Sequence, residues 1–195
     1  ERMFRAEQLH YTQVAPLDKI PLYREMPDSP YVQAPYLGTY YYLLNTQRPP
    51  VDDVRVRKAL AMSVDRDKLV RSVLQNTAVP AYSITPPDTL GYFPPKLFDY
   101  NPDEARRLLA EAGYPNGDGW PGVEILYNTQ EAHRKIAVAI QQMWKSELGI
   151  DVTISNQEWK VYLDAVTQID FQVARRGWIG DYVDANNFLD MFITG

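Results

Sequence analysis

An alternation of strand and helix signals in the C-terminal half constrains the fold of this chain more than any other feature. Short apolar runs predict strands at 123–127, 150–155 and 170–175. The intervals between them, 131–148 and 157–168, carry apolar residues at helical spacing. Strands joined by a helix pair in parallel through right-handed crossovers. We therefore expect an α/β fold built on a β-α-β-α-β parallel sheet.

A fourth strand is predicted upstream at 38–45, GTYYYLLN. Three consecutive tyrosines and two leucines stand between Gly38 and the pair Pro49-Pro50. Because bulky side chains point to both sides of this run, we expect both faces of the strand to be buried.

Three helix starts between this strand and the sheet are marked by capping residues. Asp52 or Asp53 precedes a helix, Asp65 precedes a second helix, and Asn101 stands before the Pro-Asp-Glu run of a third. Gly113 predicts the end of that third helix.

Two segments are rich in proline and predict mostly irregular structure. In 1–37, the run LHYTQV (9–14) predicts a short strand and Leu17–Met26 predicts one or two helical turns. The segment 77–100 predicts a long loop, which is often functional in a compact domain.

The composition excludes several classes of function. A net charge of −5 without a basic stripe argues against nucleic acid as a partner. With no cysteine, thiol catalysis, disulfides and thiolate metal sites are excluded. No apolar run approaches the ~18 residues of a membrane span. Because Glu1 is not an initiator methionine, we expect the chain to be either processed or a piece of a longer one.

One edge of the predicted sheet collects the unusual side chains. Ligands of parallel α/β sheets bind outside the carboxyl ends of the strands, where helix N-termini also favour a negative group. The residues that the alternation brings to this edge are His133, Trp159, Arg175, Trp178 and Asp181. Gly177 and Gly180 bracket Trp178, which is typical of a binding loop. An imidazole, two indoles, a guanidinium and a carboxylate would suit a zwitterion with an apolar body.

Each of these residues also has an ordinary structural interpretation. His133 in a helical first turn fits a surface residue, the two tryptophans fit a core, and Arg175 beside Arg176 fits a solvated pair. Their convergence on one edge favours a binding site.

No catalytic constellation accompanies this edge. The chain has no nucleophile elbow, no phosphate-binding loop, no dinucleotide fingerprint and no zinc-protease motif. The group Asp181, Asp184 and Asn186 lacks the spacing of a calcium loop. We therefore expect neither an enzyme nor a cofactor.

The chain resembles the oligopeptide-binding proteins of bacterial ABC importers, among the extracellular solute-binding proteins. The runs that carry the resemblance are PYLGTYYYLLN (35–45), PPVDDVRVRKALAMSVDRDKLV (49–70), AYSITPP (81–87), EARRLLAEAGY (104–114), YNTQEAHRKIA (127–137), NQEWKVYLDAV (156–166) and FQVARRGWIGDY (171–182). The resemblance implies a two-lobed, class II periplasmic-binding architecture. Residues 1–37 would be the end of the first lobe and the hinge crossing, and 38–195 the second lobe, truncated at its C-terminal side.

The resemblance also implies roles for the predicted site. Asp181 would take the N-terminal ammonium of a peptide, while Arg175 and His133 would meet the C-terminal carboxylate of peptides of different length. Main-chain groups of Gly177 and Ile179 would pair with the extended peptide as an added strand.

Three further positions concern the pockets for peptide side chains. Trp159 would wall one such pocket. Leu43 stands where relatives carry an acid that lines a pocket, and Val166 stands where they carry an arginine. These two differences put a preference for basic peptides in doubt.

The resulting expectation is a periplasmic or extracytoplasmic substrate-binding component of an importer. Its partners would be short peptides and a membrane ABC permease, and the intact protein would be a monomer. Within the family, a binder of murein tripeptide, dipeptide or haem is the alternative. A peptide sensor or holdase-like protein would use the same groove without a transporter.

Overall fold

The computed structural model describes residues 1–193 and contains one four-stranded mixed sheet. The strands are β1 (Gly38–Leu44), β2 (Val123–Asn128), β3 (Val152–Gln157) and β4 (Val173–Ile179), in the order β1-β4-β2-β3. β2 pairs in parallel with both β3 and β4, which confirms the predicted β-α-β-α-β sheet. β1 adds an antiparallel edge next to β4.

Eight helices accompany the sheet in the described part of the chain. They are α1 (Arg2–Arg5), α2 (Ile20–Glu25), α3 (Val54–Met62), α4 (Arg66–Ser72), α5 (Pro102–Glu111), α6 (Glu131–Leu148), α7 (Trp159–Thr167) and α8 (Asn186–Leu189). Short 3₁₀ turns lie at Leu17–Lys19, Pro115–Gly117 and Asp190–Phe192. None of the helices within residues 1–193 is long and apolar enough to cross a membrane.

The predicted capping residues begin their helices as expected. Asp53 Oδ1 accepts a hydrogen bond from the Arg55 N–H at 2.7 Å, and Asp65 Oδ1 accepts one from the Lys68 N–H at 2.8 Å. Asn101 Oδ1 accepts one from Glu104 at 3.1 Å. Each cap satisfies an N–H that the first turn leaves without a partner, so these local sequences fix where the helices start.

The larger hydrophobic core lies between one face of the sheet and helices α3, α5 and α6. Strand residues such as Ile125 and Val173 are fully buried there, and Trp144 of α6 donates its indole N–H to the Leu60 carbonyl at 2.9 Å. A smaller cluster on the opposite face joins α7 to β2 and β4. Its buried members are Leu126, Tyr162, Phe171 and Ala174.

The prediction for β1 was right about the strand and only partly right about its burial, because both faces pack against a hydrophobic cluster but remain partly exposed. β1 is an edge strand, and Thr39 is its only buried residue, whereas the three tyrosines are half-buried. The alternating side chains do reach both faces of the sheet. An edge position nevertheless leaves one side of the strand without a neighbour in the described structure.

The boundaries of the last two predicted strands shifted toward the C-terminus. β3 begins at Val152 rather than 150, and β4 begins at Val173 and continues to Ile179. β4 therefore includes Gly177 and Trp178, which the sequence had suggested as part of a loop. The extension follows from β1, because Trp178 pairs with Thr39 and keeps the backbone extended.

The two proline-rich segments are irregular, as predicted, apart from short helical turns. The prediction of a strand at 9–14 was wrong, whereas Leu17–Met26 forms a 3₁₀ turn followed by α2. In the loop 77–100, Phe98 packs against the guanidinium of Arg66, whose Cζ lies 4.8 Å from the ring centre. The division into 1–37 and 38–195 stays a prediction, and its last residues, 194–195, lie outside the described residues.

Candidate functional site

The hydrogen-bond direction of each β4 residue follows from its pairing with β1. Gly180 donates its N–H to the Leu37 carbonyl, and Gln172 accepts from Asn45 at the other end, both at 2.9 Å. The register between these two bonds is unbroken. Since main-chain direction alternates along a strand, the even-numbered residues of β4 face β1 and the odd-numbered residues face away.

This alternation leaves an open edge at Gly177 and Ile179. Their N–H and C=O groups point away from β1, and the parallel pairing with β2 ends at Ala174. Within residues 1–193, the main-chain N–H and C=O groups of Gly177 and Ile179 have no hydrogen-bond partner. Ile179 is 59% exposed, so the edge is accessible to an incoming strand. Unpaired main-chain groups of this kind are a template for strand addition.

Arg175 lies immediately before this open edge. Its Nη1 donates to Asn128 Oδ1 at 3.1 Å, and its Cζ lies 4.9 Å from the centre of the Tyr40 ring. Its Nε is buried without a hydrogen-bond partner, and the guanidinium forms no ion pair with a carboxylate in residues 1–193. A half-buried cation without an anion is a favourable partner for a ligand carboxylate.

His133 is buried behind the same tyrosine. The residue is 6% exposed, and its Nδ1 lies 3.4 Å from the Tyr40 hydroxyl. Burial lowers the pKa of His133 to about 4, and the positive charge of Arg175 adds to this effect. The imidazole is therefore neutral at physiological pH. Burial also raises the pKa of Tyr40 to about 12, although Arg175 opposes the shift.

Trp178 and Asp181 share one partner, the buried side chain of Asn187. Asn187 Oδ1 accepts from the Trp178 indole N–H at 2.8 Å and from the Asp181 main-chain N–H at 3.3 Å. This double contact fixes the turn that follows β4. The carboxylate of Asp181 remains exposed, and no cation pairs with it in the described part of the chain.

Trp159 begins α7 and stacks on Tyr162. The ring centres are 5.9 Å apart at an interplanar angle of 21°, and Trp159 is 47% exposed whereas Tyr162 is fully buried. The Tyr162 hydroxyl donates to the Arg175 carbonyl, which ties α7 to β4. Leu43 and Val166 pack against the cluster around Tyr162, so their surroundings are apolar.

The structure links only some of the predicted site residues, and it does so through shared neighbours. Arg175 and His133 meet through Tyr40, on the face of the sheet that carries the larger core. Trp178 points to the opposite face, because its β1 partner Thr39 alternates with Tyr40. Trp159 belongs to that second face as well, through Tyr162. The predicted single rim is thus divided by β4 between two faces of the sheet.

Sequence reasoning missed three residues that support the site: Tyr40, Asn128 and Asn187. Tyr40 was assigned only to a strand, although its polar tip gave a signal for a binding surface. Asn128 ends β2 and therefore lies at the carboxyl end of a strand, on the same predicted edge as His133. Asn187 lies in a polar run that gives no sign of burial. Within residues 1–193, no three acidic or histidine side chains converge as a metal site.

Comparison with known proteins places the chain in a family. Residues 1–195 match the family model of bacterial extracellular solute-binding proteins, family 5 Middle. The chain belongs to this family.

Two curated relatives from Escherichia coli match most of the chain. The periplasmic oligopeptide-binding protein OppA is 44% identical over 179 residues, which cover 89% of this chain and 33% of OppA. The periplasmic murein peptide-binding protein MppA is 43% identical over 180 residues, with the same coverage of both chains. The chain therefore spans about a third of the length of these relatives.

Solved structures share the fold over nearly the whole chain. The periplasmic oligopeptide-binding protein OppAIV of Borrelia burgdorferi superposes with a TM-score of 0.91 at 35% identity, covering 99% of this chain and 38% of that one. The OppA of Haemophilus influenzae, in complex with the peptide RPPGFSPFR, gives 0.85 at 36% identity, covering 98% and 39%. The fold is that of periplasmic binding proteins of the oligopeptide-binding type.

Proposed function

We propose that this chain forms the larger part of one lobe of a substrate-binding component of a bacterial ABC importer, which binds short peptides in an extended form. The observation that carries the proposal is the open edge of β4 at Gly177 and Ile179. An extended peptide adds to this edge and pairs with both residues through its own main chain. Because such pairing does not depend on side chains, the site accepts many sequences.

Two unpaired charges flank the open edge and recognise the peptide termini. Arg175 stands before it and takes the C-terminal carboxylate, whereas Asp181 stands after it and takes the N-terminal ammonium. The peptide consequently runs antiparallel to β4. From Arg175 to Ile179 the strand extends about 13 Å at ~3.3 Å per residue, which is the length of about four extended residues.

His133 contributes to carboxylate recognition from behind Arg175. The imidazole reaches a ligand only when the Tyr40 hydroxyl moves away, since Tyr40 covers it. A longer or shorter peptide places its carboxylate differently, and His133 would then supply a neutral hydrogen-bond donor rather than a charge.

The side-chain pockets favour apolar or mixed peptides. Trp159 provides an exposed flat wall at the start of α7, and Trp178 provides a second indole, on the same face. Leu43 and Val166 leave the neighbouring surface without a charge. A basic peptide side chain therefore finds no acid at position 43, and no preference for basic peptides follows.

The names of the relatives support a periplasmic peptide-binding role, and the Borrelia burgdorferi protein is also named an oligopeptide ABC transporter. OppA and MppA of Escherichia coli are described as periplasmic peptide-binding proteins. We assign the whole protein to the periplasm or another extracytoplasmic location, as a monomer that delivers peptides to a membrane ABC permease and has no catalytic activity. A binder of murein tripeptide, dipeptide or haem, or an extracytoplasmic peptide sensor, is the second candidate. The dipeptide alternative is supported by the similarity to a dipeptide-binding protein of Escherichia coli, which is 35% identical over 162 residues.

The test uses the full-length protein purified from its native host under non-denaturing conditions. Mass spectrometry of the released ligands should show a mixture of short peptides with varied sequences. Calorimetry should then show that N-acetylation or C-terminal amidation of one peptide weakens its binding at least about tenfold, because each removes a charged partner. A single murein peptide or haem as the ligand would contradict the general peptide assignment.

A further inference from the structure

We infer that Tyr40 is a positioning residue for Arg175, and that it thereby sets the preference of the site for peptides with a free carboxyl terminus. The inference rests on the proposed function. The side chain of Tyr40 does not itself pair with the peptide terminus and acts only through Arg175.

The contacts of Tyr40 place it between Arg175, His133 and Tyr42. Its ring faces the guanidinium of Arg175, with Cζ 4.9 Å from the ring centre, and its hydroxyl lies 3.4 Å from His133 Nδ1. Its ring also forms a T-shaped pair with the ring of Tyr42, with ring centres 6.0 Å apart. An aromatic face attracts a cation through its quadrupole, most strongly where water is partly excluded. The Tyr40 ring therefore holds the guanidinium of Arg175 from one of its two faces.

A hydrogen bond and a neighbouring glycine define where the guanidinium lies. Asn128 accepts a hydrogen bond from Nη1 at 3.1 Å. Gly177 lies directly opposite Tyr40 in the β1–β4 register, and a Cβ added to it would lie 3.7 Å from Arg175 Nη2. The guanidinium therefore lies beside the residue whose main chain forms the open edge.

This arrangement keeps the charge of Arg175 available. The side chain is held by a ring and a neutral amide, and neither of them neutralises it. The buried Nε without a partner is a further donor that no group in residues 1–193 satisfies. An arginine held in this way loses little side-chain entropy when it binds a carboxylate, so preorganisation by Tyr40 raises the affinity for that group.

The experiment measures one ratio on the full-length protein. Tri-alanine and tetra-alanine are titrated calorimetrically in the free-acid form and as C-terminal amides, and the acid-to-amide affinity ratio is the readout. Tyr40→Leu removes the ring and should lower the ratio about fivefold to tenfold, as expected for a partly desolvated cation–π contact. Tyr40→Phe keeps the ring and should leave the ratio within about twofold. In the Arg175→Gln background, Tyr40→Leu should change the ratio no further.

Matched controls separate positioning from general packing. Tyr41→Leu removes the neighbouring tyrosine, which lies on the opposite face of β1 beside Arg176, and should leave the ratio within about twofold. If Tyr40→Leu fails to fold, pentafluorophenylalanine at position 40 keeps the shape of the ring and reverses its quadrupole, so it should lower the ratio as well.

The outcomes distinguish this inference from the proposed function. Equal weakening of acid and amide peptides by the Tyr40 variants would make Tyr40 merely structural and overturn the inference while peptide binding stands. A wild-type protein that binds peptides without preferring the acid form would overturn the role of Arg175 and, with it, that of Tyr40. Failure to bind any of these peptides would overturn the proposed function itself.

Discussion

Tyr40 and Gly177 face each other across β1 and β4, and the guanidinium of Arg175 lies over the bare α-carbon of Gly177. A Cβ at position 177 would lie 3.5 Å from the Thr39 carbonyl oxygen and 3.7 Å from Arg175 Nη2. Both distances are ordinary van der Waals contacts, so there is room for one carbon. The space that a larger side chain would need is occupied by the cationic group of the site.

This geometry predicts a graded response to substitution of Gly177. Gly177→Ala should keep peptide affinity within about threefold, because the added methyl group fits. Gly177→Val should lower the affinity for free-acid peptides at least about tenfold, because its γ-methyl groups displace the guanidinium from the open edge. Titration of both variants of the full-length protein checks the prediction, and equal affinities for the two would refute it.

Asp181 should act as the anchor for the peptide ammonium. Its carboxylate has no cationic partner in residues 1–193, and Asn187 fixes the main chain on which it stands. We expect the full-length protein to close over the peptide and exclude water from this pair. Removing one member of a buried charge pair costs about 2–5 kcal/mol, so Asp181→Asn in the full-length protein should weaken peptide binding at least about tenfold. Asp164→Asn on the exposed side of α7 is the matched control and should have no effect. Unchanged affinity in calorimetry with Asp181→Asn would eliminate the assignment.

Burial of neutral His133 predicts a specific dependence of stability on pH. Its pKa is about 4 in the folded protein, below the ordinary value of 6.5. Well above pH 6.5 the imidazole is neutral in both the folded and the unfolded state, so His133 does not change the free energy of unfolding with pH. As the pH falls toward 4, His133 binds a proton in the unfolded chain but not in the folded chain. The free energy of unfolding therefore decreases across this interval.

The comparison with His133→Gln isolates this contribution. Urea denaturation of the full-length protein at about pH 7.5 and about pH 4.5 should show a larger loss of stability for the wild type than for the variant. The carboxylates of the protein affect both proteins alike and cancel in the difference. Identical losses in the two proteins would mean that His133 is protonated freely in the folded state.

The C-terminal end of α6 requires glycine at position 149 for two reasons, its positive φ and the lack of space for a Cβ. Gly149 has a φ of +74°, and a Cβ on it would collide with the carbonyl oxygen of Asn116. Gly91 has nearly the same φ, +76°, but open space around it. Gly91→Ala should cost about 1–2 kcal/mol from backbone strain alone, and Gly149→Ala at least ~1–3 kcal/mol more. Urea denaturation of both variants measures the two costs, and equal costs would show that the backbone at Asn116 moves aside freely.

The sequence predicted well those parts of the fold that depend on local chemistry. Asp53, Asp65 and Asn101 cap their helices because a side-chain oxygen and the nearby N–H groups need no distant partner. Helix α6 occupies the predicted range, since its apolar stripe and its terminal glycine are both local signals. The parallel order of the three C-terminal strands followed from their helical connections.

The sequence could not predict what depends on distant pairing. The extension of β4 to Ile179 requires β1, which lies more than a hundred residues earlier in the chain. The same pairing divides the predicted rim between two faces and sets Tyr40 between Arg175 and His133. The burial of His133 has the same origin, because neighbouring residues in α6 give no indication that a strand tyrosine covers it.

The main chain of β4 at Gly177 and Ile179 is the proposed site of pairing with an extended peptide. The most direct test is calorimetry of the full-length protein with tetra-alanine and with analogues in which single amide nitrogens are methylated. Methylation of an amide that donates to β4 should weaken binding at least about tenfold, while sequence changes at fixed length should stay within about two orders of magnitude. If every methylated analogue binds as tightly as the parent peptide, the open edge of β4 does not form the binding site.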